Sequence, residues 1–382
     1  MPLPLRRSCV AVLLSLFAAC GGADGNDLAA PDGRRNGAGA TPAATAALPT
    51  TPIPTSNPTS SAKVALGRLL FWDPILSGDR DIACATCHHP SFAYTDGRAR
   101  SIGTGGTGLG PRRIASATDP QITPRNSMTV LNTAFNGVTG TATGDPLQAP
   151  MFWDSRARSL EGQASGPISA RGEMRGAHFG ETTIFPEIVT RLTAIPEYVS
   201  RFTEAFDGAP IDQARIVDAI ATWERTLVDH DSSYDRSRSG GPAMSAAAQR
   251  GERAFAASGC THCHNGPMFS DFRLHRLGVP DLPGTPHDSG NGNDQFRTGS
   301  LRNISRTGPY MHNGVFNTID EVFQFYRRVD RRLDPALDNV RPPQGNDAAD
   351  VKAFFDALSD GTFDQSIPGT VPSGLPVGGA IN

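Results

Sequence analysis

Cys84-Ala85-Thr86-Cys87-His88 and Cys260-Thr261-His262-Cys263-His264 are the two stretches that decide how this chain is read. Each is a Cys-x-x-Cys-His run, the attachment signature of c-type haem. One helical turn presents both thiols to one edge of a macrocycle, and the His that follows lies over the iron. Two simpler readings fit less well. A redox dithiol has no need of a His after its second Cys. Two zinc half-sites combined as a four-thiolate centre would leave both His residues without a task. The pattern therefore points to two covalent haems, with Cys84, Cys87, Cys260 and Cys263 as attachment points and His88 and His264 as iron ligands.

The flanks of the two runs resemble each other. Ala65-Leu66-Gly67-Arg68-Leu69-Leu70-Phe71 precedes the first, and Ala248-Gln249-Arg250-Gly251-Glu252-Arg253-Ala254-Phe255 the second. Pro90-Ser91-Phe92 and Pro267-Met268-Phe269 follow them. This weak repeat predicts two related domains, one per haem. We expect a mainly α protein: two cytochrome c-like haem domains over residues 61–238 and 239–366, with long loops. The break at Ser239-Gly240-Gly241-Pro242 separates them. Apolar spacing predicts helices over 184–206, 211–227, 246–257, 319–327 and 348–358. The Gly-rich, aperiodic stretches 98–124 and 278–297 read as loops.

Composition narrows the function further. The 382 residues include 41 Gly and 31 Pro, and the hydrophobic fraction is 38%. A formal net charge of -3 gives no drive toward nucleic acid. Arg6-Arg7, the apolar run Val10 to Ala19 and the small pair Ala18-Ala19 form a signal peptide over residues 1–20. Leu16-Phe17-Ala18-Ala19-Cys20 is similar to a bacterial lipoprotein cleavage site. Lipidated Cys20 would then tether the protein to a membrane in the periplasm, its one membrane contact. Residues 21–60 have almost no large apolar side chain and read as a flexible tether; residues 367–382 read as a disordered tail.

With both haem motifs in hand, the chain resembles the bacterial dihaem cytochrome c peroxidase and MauG family over about Ala62 to Gly361. Phe152-Trp153-Asp154-Ser155-Arg156, Leu160-Glu161-Gly162-Gln163-Ala164, Gly166-Pro167 and Glu173-Met174 carry the likeness, as do Pro309-Tyr310-Met311-His312-Asn313-Gly314 and Phe325-Tyr326. The resemblance implies that Trp153 lies between the haems and that Gln163, Pro167 and Glu173 line the distal pocket of the first. It places the sixth ligand of the second haem at Tyr326, a position that is Met in the peroxidases and Tyr in MauG. It also implies one calcium ion, held by the Asn126 side chain and the carbonyls of Thr307 and Pro309. One departure matters. The standard peroxidases block the first haem with a loop His, and this chain has no His between His89 and His178. The first haem is therefore expected to be open in the fully oxidised protein.

Peroxide cleavage needs a group that takes a proton from the near oxygen and returns it to the far one. A carboxylate in a dry pocket does this when its pKa is raised; Glu173 is the candidate, although a lone Glu is ordinarily a solvated surface residue. Gln163 would hold peroxide or water, and Pro167 would limit the space. A Tyr326 phenolate would favour the oxidised side of the second haem, where a thioether would favour ferrous iron. Packing in a core is the plainer role for Tyr326, and Met268 and Met311 are rival ligands. Trp72 and Trp223 read as packing residues only. His89, His230, His262, His275 and His287 read as surface or packing residues. Two enzymatic readings follow: reduction of hydrogen peroxide with electrons from a periplasmic donor such as a small cytochrome c, or MauG-like oxidation of a side chain in a protein substrate. The alternative from another class is a non-catalytic dihaem electron carrier.

Overall fold

The structure is a computed structural model in which residues 47–140 and 144–382 are described. The leader, Cys20 and the first part of the tether lie outside the described residues.

Helices carry the fold. α1 (Ser61–Trp72) begins where the Ser60 hydroxyl accepts from the Lys63 amide. It buries Leu66, Leu70, Phe71 and Trp72, each burial worth ~1.5–3 kcal/mol. α2 (Cys84–Cys87) is the turn of the first haem motif. α3 (Leu160–Ser169), α4 (Ile184–Thr193), α5 (Pro196–Ala205) and α6 (Gln213–Glu224) complete the first half. The helix expected over 184–206 is two helices. Pro196 has no amide proton to donate, so it opens α5 at the first turn instead of continuing α4. α7 (Ser233–Arg238), α8 (Ala246–Ala257), α9 (Ile319–Arg328) and α10 (Gly345–Ala357) form the second half. A reciprocal cap between Thr318 and Glu321 starts α9, and Arg327 and Arg328 close it.

The repeat around the haem motifs has a packing cause. α1 crosses α6, and α8 crosses α10. A Cβ on Gly67 would lie 1.9 Å from the carbonyl oxygen of Ala219; one on Gly251 would lie 1.9 Å from that of Asp350. Only glycine lets the two backbones touch there. Each Cys-x-x-Cys-His run is thus preceded by a helix locked against a later one. The cores follow the same division. One apolar cluster joins Leu66, Phe71, Ile188, Phe202, Ile220 and Trp223; another joins Tyr234, Phe255, Phe323, Val351 and Phe354. Trp72 and Trp223 are both buried in the first.

Strands are few. β1 (Pro150–Met151) pairs antiparallel with β2 (Ala157–Arg158), so Phe152 to Arg156 form the tip of a hairpin. β3 (Leu274–His275) pairs antiparallel with β4 (Phe296–Arg297) and closes the base of the 278–295 loop.

Two expectations about the ends are corrected. The tether is anchored at points between residues 47 and 60: Pro52 and Pro54 are buried, and Asn57 is 2% exposed and donates to Glu161 Oε1 at 2.9 Å and to the Asp218 carbonyl at 3.0 Å. The tail lies along the first core. The Gly378 amide donates to the Trp72 carbonyl, and Ala380 to that of Asp81, both at 2.8 Å. Thr86, inside the first haem motif, donates to the Gly378 carbonyl at 2.7 Å. Val371 is buried, with Leu375 and Val377 packed beside it. Both segments are held largely by single amides and main-chain groups, which leave no apolar periodicity to read.

Candidate active site

Both haem motifs open onto one cavity of about 900 Å³. Cys84, Cys87 and His88 line one end, and Cys260, Cys263 and His264 the other. Single-ligand pockets span roughly 300–1,000 Å³. Two details suit covalent haem. His88 Nδ1 donates to the Tyr94 carbonyl at 3.1 Å and His264 Nδ1 to that of Phe269 at 2.9 Å. This fixes the tautomer and leaves Nε2 of each ring as the free ligand atom. Tyr94 and Phe269 both take left-handed backbone, with φ of 57° and 50°. Burial lowers the pKa of both imidazoles, which keeps them neutral. Burial also pushes up the thiols of Cys84, Cys87 and Cys260, the last two to about 12. A redox dithiol is tuned the other way.

The distal candidates come from α3 and the turn after it. Gln163 and Pro167 lie one turn apart on α3, and both line the cavity with Ala164. Glu173 sits in a single wide turn over Arg171–Arg175, in which the Arg175 amide reaches back to the Ala170 carbonyl at 3.1 Å. Burial raises the Glu173 carboxyl, opposed in part by Arg156. The 98–124 loop holds this turn in place: the Thr104 amide donates to the Glu173 carbonyl at 2.9 Å. That loop reaches the cavity through Ser101, Gly103, Thr123 and Pro124, none of which is a histidine. His178 is bound to Asp79 Oδ1 at 2.5 Å, largely exposed, and is not part of the cavity wall.

Trp153 caps the β1–β2 hairpin and lines the cavity. A Cβ on Gly299, whose backbone neighbours His264, would lie 3.7 Å from the Trp153 ring, while the indole N–H donates to the Asn126 carbonyl at 2.9 Å. Asn126 precedes Ser127, whose hydroxyl donates to the Cys87 carbonyl at 2.9 Å. The indole thus spans from the surroundings of one motif to those of the other. Asn126, Thr307 and Pro309 are all cavity residues. The Asn126 Nδ2 donates to the Arg98 carbonyl at 2.7 Å, which leaves Oδ1 for a cation. Tyr326 lines the second end; burial raises its phenol, with the Cys263 and Cys260 charges adding to the effect. Those two charges vanish once the thiols become thioethers. Met268 and Met311 also reach the cavity, and Met268 packs with Phe135, Val138 and Phe272.

Three residues escaped the sequence reading. His275, read as partnerless, is bound at Nε2 by Asp271 and at Nδ1 by Asp334, both at 3.0 Å; Asp271 and then the free Cys263 thiol raise its pKa, and the thiol's share would go once Cys263 becomes a thioether. His287, read the same way, bonds Asp281 and Asp294. Glu224, at the end of α6, is buried in the cavity wall; Oε2 has no hydrogen-bond partner among the described residues and burial lifts the carboxyl to about 8. The helix face of Ile220 and Glu224 holds no local motif that marks it.

The mainly helical fold, the paired Cys-x-x-Cys-His runs and the shared cavity define a dihaem c-type peroxidase. The family model for di-haem cytochrome c peroxidase matches residues 61–243. The chain is 34% identical over 353 residues to cytochrome-c peroxidase IdrP1 of Denitromonas iodatirespirans, covering 82% of this chain and 85% of that one. It is 33% identical over 322 residues to the methylamine utilization protein MauG of Methylorubrum extorquens, covering 80% and 81%. A solved MauG-like protein associated with microbial copper homeostasis superimposes with a TM-score of 0.67 at 28% identity, covering 82% and 93%. The chain belongs to the dihaem cytochrome c peroxidase and MauG family. It is a peroxidase oxidoreductase with two haem c groups, acting on peroxide with a redox partner.

Proposed function

We propose that hydrogen peroxide is reduced at the first haem, attached through Cys84 and Cys87 and ligated by His88, and that this haem is open in the oxidised protein. The observation that carries the reading is the wall of the cavity: a buried, pKa-raised Glu173 beside Gln163 and Pro167, and a 98–124 loop that brings no histidine to it. Bound haem supplies the iron at which the O–O bond breaks. Glu173 accepts the proton of the near oxygen and delivers it to the far one, which leaves as water. Gln163 hydrogen-bonds the peroxide, and Pro167 restricts the pocket. Cys260, Cys263 and His264 would hold the second haem, with Tyr326 as the candidate further ligand, and Trp153 would relay electrons between the two sites. The Asn126 side chain and the Thr307 and Pro309 carbonyls would hold a calcium ion, which would supply a positive charge that braces the junction. The leader exports the chain to the periplasm, where Cys20 anchors it.

Electrons come from a periplasmic donor such as a small cytochrome c, or from a side chain of a protein substrate that is oxidised as it gives them up. Tyr326 and the loop without histidine favour the second source. A non-catalytic carrier has no use for a buried acid over an open site. The test is anaerobic addition of peroxide to the diferric protein, followed by its optical spectrum. Fast loss of the ferric Soret band and slow recovery support the open-haem reading. No change until one electron is added would assign the protein to the reductively activated peroxidases.

A further inference from the structure

Arg297 is a buried cation without an anion. It ends β4 and is 4% exposed, on the wall of the cavity between the two haem motifs. Its main-chain N–H donates to the Trp153 carbonyl at 2.6 Å. Its guanidinium meets only neutral groups: Nε donates to the Phe152 carbonyl at 3.0 Å, Nη2 approaches Met128 Sδ at 3.6 Å, and the Phe272 ring lies 5.6 Å away. Among the described residues no carboxylate forms an ion pair with it. The nearest candidate, Asp154, is already taken by Arg125 at 2.6 Å and Arg156 at 2.9 Å, and Asp288 by Arg125 at 2.6 Å. Burial lowers the Arg297 pKa to about 10, opposed in part by the Asp154 charge; it stays well above neutrality, so the group stays charged. A buried, uncompensated guanidinium is costly, and its planar fork is matched to a carboxylate.

We propose that Arg297 binds the propionate carboxylate of a haem in this cavity, and that it thereby sets the charge beside the Trp153 relay. The proposal rests on the dihaem reading above. The propionate completes the ion pair that the protein leaves open. Met128 follows Ser127, which contacts the His88 ring, and Arg297 lies two residues before Gly299, whose backbone neighbours His264, so this pair stands where the two haem surroundings meet. Removing the cation leaves the propionate charge uncompensated, which favours ferric over ferrous iron and lowers the potential of that haem.

The test compares the holoprotein with Arg297→Gln and Arg297→Lys. Haem content per chain is read first from the pyridine haemochrome, then both midpoint potentials and the propionate bending modes in the resonance Raman spectrum. The expected result is two haems in each, one potential lowered and the bending modes shifted in Arg297→Gln, and the potential largely restored in Arg297→Lys. If Arg297→Gln does not accumulate, the shift of the bending modes in Arg297→Lys carries the test, because a point charge replaces a planar fork. Unchanged potentials and modes with both haems in place overturn the proposal alone. A wild-type chain without two haems overturns the dihaem reading as well. Wild-type potentials that follow chloride or phosphate concentration would show a free anion on Arg297 and likewise overturn it.

Discussion

The indole N–H of Trp153 donates to the main-chain carbonyl of Asn126 at 2.9 Å, and the Asn126 amide donates in turn to the His312 carbonyl at 2.7 Å. One asparagine therefore joins the candidate relay, the candidate calcium site and the Pro309 to Gly314 motif. Removing calcium with a chelator, or making Asn126→Ala, should slow oxidation of the second haem after peroxide is added. Stopped-flow spectra at both haems check this. Calcium should restore the rate in the wild type and not in the variant. An unchanged rate in both would separate the relay from the cation.

Glu173→Gln should slow the reaction with peroxide by about 10²–10⁴-fold, the usual contribution of a positioned acid–base group. Burial raises the Glu173 carboxyl, so it is still protonated where an exposed Glu has ionised. The base form appears only as pH rises through that raised pKa. The wild-type rate should therefore climb with pH through that window, and the climb should be lost in Glu173→Gln. A rate profile with the same rise in both would assign the titration elsewhere.

Tyr326→Met should raise the midpoint potential of the second haem, because a thioether favours the ferrous state and a phenolate the ferric. The diferric protein should then react more slowly with peroxide. Potentiometry with optical detection checks the first effect. Identical potentials would point to Met268 or Met311 as the ligand.

Gly67→Ala and Gly251→Ala should each destabilise the protein by at least the ~1–3 kcal/mol usual for overpacking, because a carbonyl oxygen already occupies the space at 1.9 Å. Gly103→Ala should do less to stability and more to activity. Its Cβ would meet the Gly172 carbonyl oxygen at 2.2 Å and press on the turn that carries Glu173. Thermal melts and peroxide kinetics on the three variants separate the two effects.

Glu224 supplies a pH test of stability. Its carboxyl is raised by burial to about 8, so the folded state holds a proton that the unfolded chain has lost above the ordinary Glu range. The stability this gives is complete below about pH 4 and is lost as pH rises toward 8. Glu224→Gln should therefore melt close to wild type in acid and above it at alkaline pH. Melting curves across that range decide it; equal curves at high pH would mean that Glu224 has a partner in the holoprotein.

The sequence alone determined the two Cys-x-x-Cys-His runs, and with them the family, and most of the helices. Each of these is written in contiguous residues: five for a haem motif, and one 3.6-residue period for α6, α8 or α9. The roles proposed for Glu173, Gln163 and Trp153 were suggested only by resemblance to a family, since nothing local marks a lone acid as buried. The tertiary structure decided the rest. It brought the two motifs to one cavity, laid residues 371–380 on the first core, and left Arg297 and Glu224 in the cavity wall without an ion pair among the described residues. Those outcomes depend on which segments meet across long chain separations, through main-chain hydrogen bonds and competition for a few carboxylates. Asp154 cannot serve Arg297 because Arg125 and Arg156 hold it, and only the folded chain puts these four residues together.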